Sequence, residues 1–152
     1  TKKLPEIGPL LSASTYGPCD LKSQWGGVFF YGIHQVDMVL HAFGFDVASV
    51  MISKNGLNAT GQLFYPSGLI VTMALIEEGS PGFGIGAIGA KGTLGTSVKM
   101  DKSPYLTGVK TFVNMFKSRK EPLTYEQMLK PVQVLEALEK SVKSGTMEKV
   151  ED

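Results

Sequence analysis

The 152-residue sequence has little charge of either sign, a single arginine and a single cysteine. Its 15 basic and 14 acidic residues give a formal net charge of +1, which produces no field that would attract nucleic acid or an anionic membrane. Arginine makes most bidentate contacts to phosphates and bases, and Arg119 is the only one, so we expect no nucleic-acid partner. Cys19 has no partner for an intrachain disulfide and does not form a zinc site by itself.

The sequence also lacks a segment typical of membrane proteins. Residues 55–76 form an uncharged run of membrane-spanning length, but Pro66-Ser67-Gly68 divides it into two halves of strand length, which predicts a β-hairpin. No charged leader with an apolar core opens the sequence, so we expect a cytoplasmic protein with no membrane partner. The sequence begins at Thr1 rather than at a methionine, which we expect of a processed or excised piece.

Hydrophobic periodicity and turn residues predict one domain that mixes strands and helices. Strands are predicted at 7–16, 47–53, 57–65, 69–77, 83–88 and 93–99, and helices at 29–43, 103–118 and 124–145. Ser103 is the expected N-cap of the second helix, and Thr124 opens the third with a capping box. Pro131 lies inside the third helix and is expected to bend it or divide off its first turn.

The predicted hairpin has two faces of different character. One face is apolar and consists of Leu57, Ala59, Leu63, Tyr65, Leu69, Val71, Met73 and Leu75. The other face is uncharged and half apolar, and it consists of Asn58, Thr60, Gln62, Phe64, Ile70, Thr72, Ala74 and Ile76. A sheet that faces water usually carries charged residues there. The second face is therefore covered either by the chain's own helices or by another subunit, and we favour the subunit.

Two strings are superficially similar to cofactor-binding loops. Residues 84–89 spell G-x-G-x-x-G, but glycines and threonines follow at 90–96, where a dinucleotide site needs a helix. The string is therefore interpreted as a glycine-rich strand edge or bulge. Lys91-Gly92-Thr93 has the wrong residue order for a phosphate-binding loop. We expect no cofactor to bind this chain through either string.

His34, Asp37 and His41 share one face of the first predicted helix. The two histidines are about 10.5 Å apart along the helix axis, too far to bind one ion, so we expect no metal. His41 is interpreted as a structural residue. His34 lies near the start of a helix that follows Gly26-Gly27, and these glycines allow a ligand to approach the backbone closely. An imidazole there can hydrogen-bond a sugar hydroxyl or transfer a proton.

The segment Trp25-Gly26-Gly27-Val28-Phe29-Phe30-Tyr31-Gly32-Ile33-His34-Gln35-Val36-Asp37 resembles the start of the C-terminal domain in one family of NAD(P)-dependent oxidoreductases. This is the glucose–fructose oxidoreductase/inositol dehydrogenase/MocA family. Four further segments resemble family motifs in the same order: Val47-Ala48-Ser49-Val50, Phe64-Tyr65-Pro66-Ser67-Gly68, Ile88-Gly89-Ala90-Lys91-Gly92-Thr93-Leu94, and 134–141 with Gly145. The resemblance therefore covers nearly the whole chain.

This resemblance implies an α+β fold with an open, predominantly antiparallel, mixed sheet, helices on one face and oligomerisation through the other. Residues 1–152 would be the substrate-binding and oligomerisation domain of a dehydrogenase that acts on a sugar, cyclitol or similar polyol. An N-terminal Rossmann domain, absent from these residues, would bind NAD or NADP and supply a catalytic lysine. The chain would then assemble as a dimer or tetramer and would have no catalytic activity alone.

Residue by residue, His34 falls on the family's histidine, which contacts the substrate hydroxyl or assists its proton transfer. The family's aspartate, four residues earlier, is Phe30 here, and a phenyl ring neither accepts a proton nor hydrogen-bonds a hydroxyl. Tyr31 and Trp25 are further candidates for substrate binding, Trp25 because an indole commonly stacks on sugar faces. Phe30 also leaves an alternative open: a non-catalytic module of the same fold that binds a small ligand or assembles subunits.

Overall fold

The computed structural model describes residues 2–79, 82–99 and 102–151. After a 3-10 helix at Leu4–Ile7, the elements are β1 (Leu10–Pro18), α1 (Val28–Phe43), β2 (Ser49–Asn55), β3 (Asn58–Phe64), β4 (Ile70–Ile76), β5 (Gly84–Gly89), β6 (Gly92–Ser97), α2 (Leu106–Ser118), α3 (Tyr125–Ser144) and β7 (Glu148–Lys149). Each longer element coincides with a predicted one to within a few residues.

The seven strands form one sheet in the order β6-β5-β1-β4-β3-β2-β7. β1 and β4 pair in parallel, and the other described strand pairs are antiparallel. The parallel pair requires a crossover connection, because a tight turn joins only antiparallel neighbours. Here the crossover consists of α1 and the β2–β3 hairpin. The predicted α+β class with an open, mixed and mostly antiparallel sheet is therefore confirmed.

The core lies between one face of the sheet and the helices α1 and α3, which also pack against each other. Alternate residues of β3 and β4 are buried, as expected for strands covered on one side. Gly32 lies where the two helices meet, because a Cβ there would be only 3.1 Å from Val28 Cγ2 and 3.7 Å from Leu135 Cδ2. Ser141 ties α3 to the sheet, since its hydroxyl oxygen accepts a hydrogen bond of 2.9 Å from the Ile52 amide.

The strand registers also define the opposite surface, which we call the outer face. Across β1 to β6 it consists of Ser12, Ser14, Tyr16, Pro18, Ser49, Met51, Ser53, Asn55, Asn58, Thr60, Gln62, Phe64, Ile70, Thr72, Ala74, Ile76, Gly84, Gly86, Ile88, Thr93, Gly95 and Ser97. None of these residues is charged, and those of β3 and β4 are half-buried or exposed. The predicted difference between the two hairpin faces is confirmed, except at Leu57. Leu57 belongs to the two-residue turn that follows Asn55 and is exposed.

Two local predictions about the helices differ from the structure, and one is confirmed. α2 begins at Leu106 rather than at Ser103, whose backbone carbonyl accepts from the Leu106 amide in a preceding turn. α3 has the predicted capping box, with bonds of 3.2 Å and 2.9 Å between Thr124 and Gln127. α3 continues through Pro131, so its first turn is not divided off. Pro131 is buried, and this packing compensates for the backbone donor that proline lacks.

Candidate functional site

α1 starts from a turn that requires two glycines. Gly26 and Gly27 have φ values of 111° and 58°, a region that residues with a Cβ rarely adopt. Their amides donate to the carbonyl of Ser23 at 3.2 and 2.9 Å, so the chain turns sharply before Val28 begins the helix. This turn sets the direction of α1 and exposes His34 on the second turn of the helix.

The imidazole of His34 lies between two aromatic rings. Its centroid is 5.8 Å from that of Tyr31 and 5.5 Å from that of Phe83, and both pairs meet edge to face. Phe30 extends the group, with its ring centroid 4.8 Å from that of Tyr31. Phe30 and Tyr31 are 45% and 40% exposed. We call these four residues the aromatic surface, and it presents apolar rings beside an imidazole and a phenol, the mixture typical of small-molecule sites.

The structure brings two of the three sequence-predicted site residues together. His34 and Tyr31 are neighbours on α1, since residues three apart lie on the same helix face. Trp25 lies in the loop before α1, is 69% exposed, and has no ring contact among the described residues. The tryptophan is therefore near the helix start in sequence but is not part of the aromatic surface.

Phe83, which sequence reasoning missed, comes from the strand side of the site. It lies immediately before β5, and its ring occupies space that any side chain at Gly17 of β1 would fill. A Cβ on Gly17 would overlap the ring of Phe83, so only glycine at this position lets Phe83 reach His34. The only sequence signal for this contact is the glycine itself, inside a strand, where it commonly marks a close approach.

Gln35 holds α1 onto the sheet directly beside His34. Its side chain is fully buried and makes three hydrogen bonds. The hydroxyl of Thr15 donates to Oε1 at 2.9 Å, and Nε2 donates to the carbonyls of Gly17 and Ala74 at 3.1 Å each. These bonds connect α1 to both strands of the parallel pair. The position of His34 over β1 therefore depends on a buried polar network.

Burial controls the titration of two groups near α1. It raises the pKa of Asp37, and the neighbouring His41 and His34 partly oppose this effect. Burial, with a smaller contribution from the charge of Asp20, also raises the pKa of Cys19 to about 11. A hydrogen bond from the Gly32 backbone acts in the opposite direction and lowers this pKa. Cys19 is therefore a protonated thiol at neutral pH rather than a nucleophile.

The other candidate sites from the sequence have simpler structural roles. The ring of His41 packs edge to face on Phe45, with centroids 5.2 Å apart. In the described part of the chain, no three His, Cys, Asp or Glu residues are grouped as a metal would need. The G-x-G-x-x-G string is strand β5, as predicted for a strand, but it pairs with both β1 and β6 and is not at the sheet edge. A tight turn into β6 follows it instead of a helix, so it does not fit a dinucleotide phosphate.

The aromatic surface is open to solvent on this chain. A groove of about 550 Å³ lies at the other end of α1, against Phe43, Ala87 and Leu94, and His34 does not line it. No helix within the described ranges is long and apolar enough to cross a bilayer. The residues around His34 therefore form an exposed surface on this chain, and a second wall would be needed there to enclose a small ligand.

A scan against protein-family models and a search of curated proteins give no match for the chain. Solved structures do match. A probable dehydrogenase from Thermotoga maritima superposes with a TM-score of 0.78 at 19% identity, over 98% of this chain and 59% of that chain. Myo-inositol 2-dehydrogenase from Lactobacillus plantarum gives 0.78 at 16% identity, over 96% and 58% of the two chains.

Myo-inositol dehydrogenase from Lactobacillus casei, in complex with NAD(H) and myo-inositol, gives a TM-score of 0.76 at 13% identity. That superposition covers 99% of this chain and 56% of that chain. The resemblance noted in the sequence is confirmed at the level of the fold, which is shared with these dehydrogenases. The chain spans less than three fifths of the length of each of these solved structures.

Proposed function

We propose that residues 1–152 are the substrate-binding and oligomerisation domain of an NAD(P)-dependent oxidoreductase. The substrate class is a sugar, cyclitol or similar polyol, oxidised at a hydroxyl. One observation carries the proposal: nearly the whole chain shares its fold with inositol dehydrogenases, one of them solved with NAD(H) and myo-inositol. NAD or NADP would be bound mainly by an N-terminal dinucleotide-binding domain outside these residues. The cytoplasmic location stays a prediction.

Within this proposal, His34 binds the reacting hydroxyl or relays its proton. Oxidation of an alcohol removes a hydride from carbon and a proton from oxygen, and the nicotinamide, when bound, supplies the hydride acceptor. A neutral imidazole carries one ring nitrogen that can accept a proton, which suits it to this role. The flanking rings of Tyr31 and Phe83 support this assignment, because they provide apolar surface for the C–H faces of a polyol. Trp25, 69% exposed in the loop before α1, stays a proposed substrate-binding residue, because an indole commonly stacks on sugar faces.

The test uses the full-length parent protein with a panel of polyols and both nicotinamide cofactors. His34→Ala should lower kcat/KM by at least about 100-fold, the usual contribution of general acid–base catalysis. His41→Ala is the matched control, because it removes the same side chain from the same helix. His41 contacts Phe45 and is not part of the aromatic surface. A His34→Ala enzyme with wild-type turnover would refute the site assignment. A parent gene without a dinucleotide-binding fold would end the proposal altogether.

The outer face is the surface we assign to oligomerisation. It is uncharged across six strands, and water would otherwise contact apolar residues such as Phe64, Ile70 and Ile76. Light scattering of the parent protein should give a dimer or tetramer at micromolar concentration. Ile70→Lys should dissociate it, whereas Leu57→Lys, a similarly exposed position in a turn, should not. A monomeric wild-type protein would contradict this assignment.

Phe30 favours a second candidate, a non-catalytic module of the same fold. Its phenyl ring stands where the resemblance implies an aspartate, is 45% exposed, and packs on Tyr31. Such a module would bind a small ligand or assemble subunits without chemistry. A parent protein that binds a nicotinamide cofactor but oxidises no polyol of the panel would favour this candidate.

A further inference from the structure

Helix α2 presents an apolar face that nothing in the described structure covers. The helix contains no buried residue. Met115 is half-buried, and the other five apolar side chains are 43–65% exposed, namely Leu106, Val109, Phe112, Val113 and Phe116. We call these five residues the α2 face. The rings of Phe112 and Phe116 already pack together, with centroids 4.9 Å apart, so the surface is continuous.

The α2 face has the geometry of a docking surface rather than of scattered exposure. The spacing of three, three, one and three residues places all five side chains within an arc of about 120° on the helix. The exposed area is on the order of 400 Å², within the range at which apolar patches on monomers are commonly functional. Two residues on the other side of the helix, Thr111 and Asn114, are polar.

We propose that the α2 face docks onto the dinucleotide-binding part of the same polypeptide, an inference that rests on the proposed function. The superposition on the Thermotoga maritima dehydrogenase omits about 2% of this chain, far less than the 13 residues of α2. The helix is therefore part of the fold shared with that protein. About two fifths of that protein has no counterpart here, and this part is the occupant we assign.

The size of the α2 face favours a domain of the same chain over a second copy. Interfaces between domains of one chain bury about 600–1,500 Å² in total, so each side contributes roughly 300–750 Å². A stable dimer usually needs about 800 Å² from each partner, roughly twice what the α2 face offers. Linkage in one polypeptide also raises the effective concentration of the partner, so a smaller surface is sufficient.

Charge adds a requirement for the surface that receives α2. Residues 102–120 include five basic residues and no acidic one, namely Lys102, Lys110, Lys117, Arg119 and Lys120. The docking site on the dinucleotide-binding part should therefore be an apolar groove or helix face with acidic residues at its rim. An amphipathic helix with a basic rim is also typical of membrane-surface binding, so an anionic bilayer is the competing occupant.

Hydrogen–deuterium exchange on the full-length parent tests the docking. The amides of α2 should exchange at least about tenfold more slowly than those of a solvated helix, because undocking must precede exchange. Phe112→Asp should abolish this protection, since burial of one phenylalanine changes a docking equilibrium by at least about tenfold. Asn114→Asp introduces the same side chain on the opposite side of α2 and should leave the protection unchanged.

The remaining outcomes separate this inference from the proposed function. A parent protein that binds a nicotinamide cofactor but has unprotected α2 amides would overturn the docking alone. A parent without a dinucleotide-binding part would overturn both. Protection that depends on protein concentration would assign the α2 face to a second copy. Protection only with phosphatidylserine vesicles would assign it to a membrane. Protection of the α3 amides in the Phe112→Asp protein serves as the internal control for folding. If Phe112→Asp does not fold, Val109→Asp tests the same face in its place.

Discussion

Replacement of Gln35 by methionine should destabilise the protein without changing its core volume. The side chain is fully buried and makes three hydrogen bonds, to the Thr15 hydroxyl and to the carbonyls of Gly17 and Ala74. Methionine has nearly the same length but cannot donate to either carbonyl. Each buried hydrogen bond contributes about 1 kcal/mol net, and an orphaned hydroxyl costs a similar amount. The three lost bonds and the orphaned hydroxyl should therefore lower the free energy of unfolding by about 4 kcal/mol.

Urea unfolding followed by circular dichroism measures this change. The midpoint should fall while the slope of the free energy against urea stays constant, since neither state changes its compactness. A loss below about 0.5 kcal/mol would refute the reasoning, because it would mean that the network contributes no net stability over a hydrophobic replacement. A gain in stability would refute it more strongly.

The double variant Gln35→Met/Thr15→Val isolates the part of the effect that comes from the orphaned hydroxyl. Valine has the shape of threonine without its donor, so the double variant leaves no hydroxyl without a partner at this position. Its loss of unfolding free energy should be smaller than the sum of the losses in the two single variants by about 1 kcal/mol, which is the coupling between contacting residues. Additive effects would show that the Thr15–Gln35 bond contributes nothing by itself.

Two further variants examine the surroundings of His34. Gly17→Ala should displace Phe83 and lower the free energy of unfolding by about 1–3 kcal/mol. The ring resonances of His34 in NMR spectra should then shift, while those of His41 stay fixed. Unchanged His34 resonances would contradict this prediction. Because burial raises the pKa of Asp37, the folded state holds that proton more tightly, and stability falls as pH rises above the unfolded value of 3.8. Asp37→Asn should therefore raise the melting temperature more at pH 7 than at pH 4. A larger rise in melting temperature at pH 4 than at pH 7 would contradict the raised pKa.

The longer elements were predictable because their periodicity is strong and their ends are marked. The buried positions of β3 and β4 alternate as predicted, since one-sided burial leaves a period of two in the sequence. The start of α3 was predictable from Thr124 and Gln127, because a capping box is a local structure made of neighbouring residues. Local chemistry of this kind does not depend on the rest of the fold.

The errors at helix ends have a common cause. Ser103 followed by Pro104 is a reasonable helix start by local chemistry, but α2 begins at Leu106 and packs no residue into the core. Without buried contacts, little in the domain favours extension of the helix by another turn. Pro131 was expected to bend α3 or divide off its first turn, and the helix is not divided, because Pro131 packs among the buried residues Lys130, Val134 and Leu135. Tertiary packing decides both cases, and it is not visible in a local window of sequence.

The candidate site was predictable only where its residues share one helix. Tyr31 and His34 could be paired from their spacing, since residues three apart are neighbours on a helix. Phe83 is far from α1 in the sequence and reaches His34 only because β1 and β5 are adjacent in the sheet. Gln35 was missed because its partners belong to β1 and β4, and no sequence pattern indicates a glutamine bonded to two strands.

Phe30 and Tyr31 determine which groups of this chain can receive a proton. Both are neighbours of His34 on α1, four and three residues before it. The helix face that carries the imidazole therefore has a phenyl ring where the resemblance implies an aspartate. Tyr31 lies close enough to contact His34, and its phenol can donate or accept a hydrogen bond. Of the four residues of the aromatic surface, His34 is the one with a ring nitrogen that can accept a proton. Asp37, three residues after His34 on the same helix, is the carboxyl group of this chain whose charge acts on that imidazole.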